Sequence, residues 1–172
     1  SLGRSVAYNV VLPAGYRSDK RYPILWLLHG YSGNKDDWLR RTDLVKEIER
    51  YPFVVVLPSA GNSWYVNAPS DPSAAYETFV TGDLYNDVVR HFSVDTLRQA
   101  VAGLSMGGYG AVMLGLRHPR RYRFVGGLSA ALSVASEIGQ SDTVVWSGLG
   151  KSLVKAFGAG GFASISEYDP LS

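Results

Sequence analysis

No cysteine occurs in the 172 residues, which excludes disulfides, thiolate metal sites and a cysteine nucleophile and leaves the compartment open. Histidine is nearly as scarce. His29, His91 and His118 are the three histidines and lie far apart in sequence, and no Gly-x-x-x-x-Gly-Lys loop is there to cradle a phosphate, so no metal and no nucleotide cofactor is expected. The formal net charge is only +2, too small for the total to imply nucleic acid or an anionic membrane as partner. No apolar run reaches the roughly 18 residues of a membrane span, and no signal peptide is visible. The chain thus reads as soluble, with cytoplasmic and secreted locations, and homo-oligomer formation, all left open. The initiator methionine is also missing, which leaves room for a removed upstream segment.

What is present is enough for one domain. Hydrophobic residues make up 46% of the chain, and a domain of about 150 residues buries about 70% of its unfolded surface. A single domain over 1–172 is expected.

The most informative stretch runs from Val101 to Gly110, Val-Ala-Gly-Leu-Ser-Met-Gly-Gly-Tyr-Gly. A short apolar strand stops at Ser105, and a helix rich in small residues follows to Arg117, closed by His118-Pro119. This is the sequence form of a nucleophile elbow. A serine on so tight a strand-to-helix turn needs neighbours without bulk two residues before and two after, here Gly103 and Gly107. Ser105 is therefore the candidate nucleophile. The first turn of the helix aims free N–H groups and a positive dipole end at a developing oxyanion, with the Met106 N–H as first donor.

Strands alternate with helices along the rest. Arg4 to Leu12 reads as a half-buried strand with Val6, Tyr8, Val10 and Leu12 on one face. Tyr22 to Leu28, unbroken in its apolar character, reads as a central strand covered on both sides. His29-Gly30-Tyr31-Ser32-Gly33 follows at its carboxyl end, where the Tyr31 N–H is the expected second oxyanion donor. His29 is read as fixing this loop rather than as the base. Asn34 or Asp36 is expected to cap one helix from Asp37 to about Arg50, with Trp38, Leu39, Leu44, Val45 and Ile48 inward. Pro52 to Leu57 is a further buried strand. The long loop from Pro58 to Pro72 is placed for function. Its Trp64 and Tyr65, with His29 and Gly30, are expected to line the substrate pocket, packing of the loop onto the core being the alternative for the two aromatics. Ala74 to His91 reads as an amphipathic helix with Phe79, Leu84, Val88 and Val89 inward, Tyr122 to Leu128 as a parallel strand, and Val144 to Phe157 as weakly helical. The basic cluster from Arg117 to Arg123 reads as a solvated helix end. These alternations predict an α/β fold of three layers around a mostly parallel sheet, with the ligand site outside the strand carboxyl ends.

Gly-Leu-Ser-Met-Gly-Gly-Tyr-Gly-Ala (103–111), Leu-Leu-His-Gly-Tyr-Ser-Gly-Asn (27–34), Trp38 and Asn62-Ser63-Trp64-Tyr65 together resemble the esterase D-like family of α/β-hydrolases, in look nearest to bacterial tributyrin and acetyl-ester esterases. The resemblance implies Ser105 as nucleophile, Tyr31 and Met106 as oxyanion donors, and a small-molecule ester as substrate. It also implies a triad ordered serine, acid, histidine. The chain stops at Ser172, before the strand expected to carry the acid, and no histidine follows His118; Asp142 and Asp169 both precede the expected acid position. The start resembles the run into the family's second strand. The expectation is therefore an α/β-hydrolase domain lacking the first strand and the last strands, with Tyr122 to Leu128 left as an open apolar edge. The functional expectation is a serine carboxylesterase for small acyl or aryl esters. An acyltransferase of the same fold and a non-catalytic hydrolase-like binding domain are the competing readings.

Overall fold

The computed structural model describes residues 1–134, 147–158 and 168–171. Its centre is β2 (Tyr22–Leu28). In an extended strand successive side chains point to opposite faces. Ile24, Trp26 and Leu28 accordingly enter one core cluster, and Leu25 and Leu27 pack with a second one across the sheet. β3 (Val54–Pro58) is buried throughout and divides in the same way, Val54 and Val56 to the first cluster and Val55 and Leu57 to the second.

Five strands form one sheet in the order β1-β3-β2-β4-β5, with β1 (Tyr8–Val11), β4 (Val94–Leu104) and β5 (Tyr122–Leu128) completing it. β2, β3, β4 and β5 run parallel, whereas β1 pairs with β3 in the antiparallel sense. The second cluster is covered by α1 (Asp37–Arg41) and α2 (Leu44–Ile48). The first is covered by α3 (Tyr76–Thr78), a π-helical segment (Phe79–Leu84), α4 (Tyr85–His91), α5 (Met106–Arg117) and α6 (Gly148–Phe157). The three-layer α/β architecture agrees with expectation.

Several elements differ in detail. The helix predicted over 37–50 is two helices, because the Thr42 hydroxyl donates back to the Trp38 carbonyl at 2.5 Å and accepts from the Leu44 N–H at 3.3 Å, while Thr42 itself is extended. The break leaves Val45 54% exposed instead of inward. Neither predicted residue caps α1 with its side chain; the Asn34 side chain accepts the Asp36 N–H at 2.8 Å. In the 74–91 region the π turn shifts the helical phase by one residue, so Val88 stays buried while Val89 turns outward. The first strand is shorter than expected, and Leu12 lies outside it, exposed. The basic cluster is not simply solvated: Arg117 pairs with Glu77 at 2.7 Å, and the Arg121 guanidinium stacks 4.1 Å over Tyr85. The predicted helical residues 144–146, Asp142 and most of the stretch beyond Gly158 lie outside the described residues.

β5 is an edge strand among the described residues. Its pairings Ala100 with Phe124, Ala102 with Gly126 and Leu104 with Leu128 set these residues side by side on the face of the second cluster. Phe124, Leu128 and Leu104 are exposed there.

Candidate active site

Ser105 is the single residue between β4 and α5, and it sits at φ 56, ψ −115. A non-glycine residue in such a region carries about 1–3 kcal/mol of strain, so the surroundings must over-determine it. They do so on both sides. The Ser105 N–H donates to the Leu128 carbonyl at 2.9 Å, and its own carbonyl accepts from Tyr109 at 2.9 Å and Ala131 at 3.4 Å. The flanking glycines have no spare room: a Cβ on Gly103 would lie 2.3 Å from the Gly107 carbonyl oxygen, and one on Gly107 would lie 2.5 and 2.6 Å from those of Leu28 and His29. The elbow is thus pressed directly against the carboxyl end of β2.

That contact brings the loop after β2 beside the serine. A Cβ on Gly30 would stand 3.8 Å from the Ser105 Cβ. The loop is pinned at every step: Trp38 Nε1–H donates to the Leu28 carbonyl (3.1 Å), Tyr65 Oη–H to the His29 carbonyl (3.0 Å), Gly33 N–H to the Gly30 carbonyl (3.1 Å) and Ser32 N–H to the Asn62 side-chain carbonyl (2.7 Å). The Tyr31 N–H and the Ser105 hydroxyl form no hydrogen bond among the described residues. The first N–H groups of a helix have no intrahelical acceptor, and in α5 these begin at Met106. The Ser105 hydroxyl and the Tyr31 N–H thus stand without a hydrogen bond among the described residues, beside the open N-terminus of α5.

His29 is 1% exposed. The Ala60 N–H donates to Nε2 at 3.0 Å, so Nε2 is the lone-pair nitrogen and Nδ1–H donates to the Gly30 carbonyl at 2.8 Å. Burial lowers its pKa, and the Gly30 bond only partly opposes this. The ring is a neutral clamp between the ends of β2 and β3. Trp64 and Tyr65, expected as pocket walls, are 2% and 1% exposed. Both hold left-handed backbone at φ 59 and point into the core, where Trp64 Nε1–H donates to Ser152 Oγ at 3.1 Å and the Tyr65 ring fills the space beside Gly110. They support the loop from beneath and offer no open wall, so of the two readings given for these residues packing onto the core holds and the pocket wall does not; the same burial removes the His29 ring from a pocket lining, and Gly30 alone of that set lies beside Ser105.

The other histidines are elsewhere. His118 caps the far end of α5, about 20 Å from Ser105 at 1.5 Å per residue, and bonds Glu77 at 2.9 Å. His91 is at the end of α4, bonded to the Asp87 carbonyl at 2.8 Å. Near the other end of the chain, the Tyr168 carbonyl accepts Tyr109 Oη–H at 2.6 Å. Sequence reasoning missed the Asn62 clamp on Ser32 and the hold of Leu128 and Ala131 on Ser105. Asn62 stood in a recognised motif and could have been weighed as a loop clamp; the backbone contacts leave no residue-type signal. Among the described residues no cluster of side chains could hold a metal ion, and no helix is long and apolar enough to cross a membrane.

A mostly parallel sheet with helices on both faces and a strained serine between a central strand and its helix defines an α/β-hydrolase fold. Comparison with known proteins narrows this further. The chain belongs to the esterase family described as "Putative esterase", whose model matches residues 1–158. It is 36% identical over 112 residues to an acetyl esterase of Caldicellulosiruptor saccharolyticus, covering 64% of this chain and 42% of that protein. It is 30% identical over 139 residues to the S-formylglutathione hydrolase of Mus musculus, covering 69% and 49%. Among solved structures it is similar to the fluorophosphonate-binding serine hydrolase F of Staphylococcus aureus, with TM-score 0.80, 25% identity and coverage of 95% and 64%. A ferulic acid esterase gives TM-score 0.76 at 27% identity, covering 99% and 65%. The chain spans less than half the length of these two curated relatives.

Proposed function

We propose that this chain carries the nucleophile and oxyanion hole of a serine carboxylesterase acting on small acyl or aryl esters. The observation that carries the reading is the backbone of Ser105, held at φ 56 by three hydrogen bonds with its hydroxyl unpartnered among the described residues. Strain of this kind is stability given up at a site where chemistry repays it. In the reaction Ser105 Oγ attacks the ester carbonyl and yields its proton to a base. The Met106 and Tyr31 N–H groups receive the tetrahedral oxyanion, the alcohol leaves, and water releases the acid from the acyl-enzyme. Each oxyanion donor contributes about 2.7–4 kcal/mol to lowering the barrier. The acetyl esterase among its relatives supports a short acyl group.

One observation favours the competing, non-catalytic reading: His29, His91 and His118 each have partners of their own and none faces Ser105. Proton transfer from Ser105 is thus assigned to none of them. The two readings separate on whether Ser105 is reactive. Hydrolysis of p-nitrophenyl acetate by the whole protein, abolished in Ser105→Ala, supports the esterase; turnover equal in wild type and variant refutes it. Product analysis with an added alcohol separates hydrolysis from transfer, since free acid alone counts against an acyltransferase.

A further inference from the structure

A cleft of about 550 Å³ opens between the segment before β1, the loop after β3 and α6. The volume suits a small molecule. Its lining includes Arg4, Lys151 and Lys155, with Asp71 as the one carboxylate among the described residues. Lys151 and Lys155 are four residues apart on α6, so they share a face, where like charges repel. None of the three cations is in an ion pair among the described residues. Arg4 donates only to Tyr76 Oη, at 2.5 Å, and Asp71 Oδ1 is taken by the Ser73 N–H (3.0 Å) and hydroxyl (2.6 Å). Ala60, Ser152 and Ala156 are buried at its base. The result is a concave surface with a small, mainly apolar floor and a rim of three cations set against one carboxylate, Asp71, whose pKa is lowered chiefly by its bonds from Ser73 and, in smaller part, by the charge of Lys155.

We propose that this cleft binds a small molecule through a carboxylate or phosphate group held by Lys151, Lys155 and Arg4. The cleft is linked to the Tyr31 loop directly through Asn62 and indirectly through α6. Asn62, in its wall, accepts the Ser32 N–H at 2.7 Å, and Tyr31 Oη lies 3.4 Å from where a Cβ on Gly148 would stand, at the start of the helix that carries both lysines. An anion seated there is therefore either the charged part of the substrate itself or a separate ligand that acts on the same loop. The binding claim does not depend on the esterase reading.

The test is titration of the full chain with inorganic phosphate and with succinate, followed by amide chemical shifts in the 60–63 loop and α6. Saturable shifts are expected, weakened by added salt because the cations are exposed, and weakened about tenfold in Lys151→Gln/Lys155→Gln, which removes two charge-assisted contacts. Lys46→Gln, on exposed α2, should leave binding unchanged. No saturable shift, equal binding by the double variant, or equal weakening by Lys46→Gln overturns the proposal. A second arm identifies the source of the anion. If the double variant loses kcat/KM on an ester bearing a carboxylate but keeps it on a neutral ester, the substrate supplies the anion. If phosphate binding falls while both esters are hydrolysed as before, the anion is a separate ligand.

Discussion

Replacing Gly107 by alanine probes the contact on which the site is built. The added Cβ would lie 2.5 Å from the Leu28 carbonyl oxygen and 2.6 Å from that of His29. Both are backbone atoms of a central strand and its pinned loop, so no flexible side chain can yield. Clearing ordinary contact requires a shift of roughly 0.9 Å, and forced overpacking of this kind costs about 3 kcal/mol, the upper part of the usual range. Alanine in a helix recovers about 1 kcal/mol of propensity, so the net loss is about 2 kcal/mol, or a fall in Tm of about 4–8 °C for a chain of this size. The same opening moves Ser105 away from Tyr31, so labelling by a fluorophosphonate should slow in parallel. Gly82→Ala is the matched control, because the nearest atom to its added Cβ is Thr78 Cγ2 at 4.0 Å; that variant should be as stable as wild type or more so. Thermal unfolding of both variants, with labelling rates, is the assay. A Gly107→Ala protein with unchanged Tm and unchanged labelling would refute the argument that the elbow is locked against β2.

Ser105→Gly should abolish labelling while raising stability by about 1 kcal/mol, since glycine accepts φ 56 without strain; urea unfolding checks it, and a loss of stability would contradict the strain. His29→Leu should cost about 2–4 kcal/mol, because it leaves the Ala60 N–H and Gly30 carbonyl without their ring partners. In wild type the folded-state pKa of His29 lies below its ordinary value of 6.5. The unfolded chain therefore binds the proton first as pH falls, and stability declines below about pH 6.5 until the folded-state pKa is passed; the variant should lack this part of the decline in denaturation curves taken across that range. Phe124→Thr should reduce binding of a hydrophobic dye, because the ring is 62% exposed beside Leu128 and Leu104; an unchanged signal would mean the dye binds elsewhere. If no histidine serves Ser105, the 172 residues assayed by themselves should hydrolyse p-nitrophenyl acetate about 10⁶-fold more slowly than a complete triad enzyme, and turnover near that of such an enzyme would show that a base had been overlooked.

The parts of this fold that were legible in sequence are those where one physical signal dominates. β2 is read to the residue, because seven consecutive residues without a charge fit only a strand covered on both faces. The elbow is equally plain, since glycines at 103 and 107 have no purpose in an ordinary strand or helix but are obligatory where two backbones meet this closely. Errors arise where a local event resets the helical phase. Thr42 turns its hydroxyl back onto its own helix and ends it, and the π turn before Tyr85 rotates Val89 outward; hydrophobic periodicity alone registers neither. Trp64 and Tyr65 show a different limit. Two adjacent aromatic residues at positive φ have no propensity signature, and their bulk fits a pocket wall as well as a buried support until the packing against Gly110 and Ser152 is known.

The central claim is that Ser105 is a reactive nucleophile. Exposure of the folded protein to a fluorophosphonate, followed by intact mass and peptide mapping, tests it most directly. One adduct, mapped to the peptide containing Ser105 and absent from Ser105→Ala, is the predicted result. An adduct on another residue, or no adduct after prolonged exposure of correctly folded protein, would contradict the account and leave the strained elbow without chemistry.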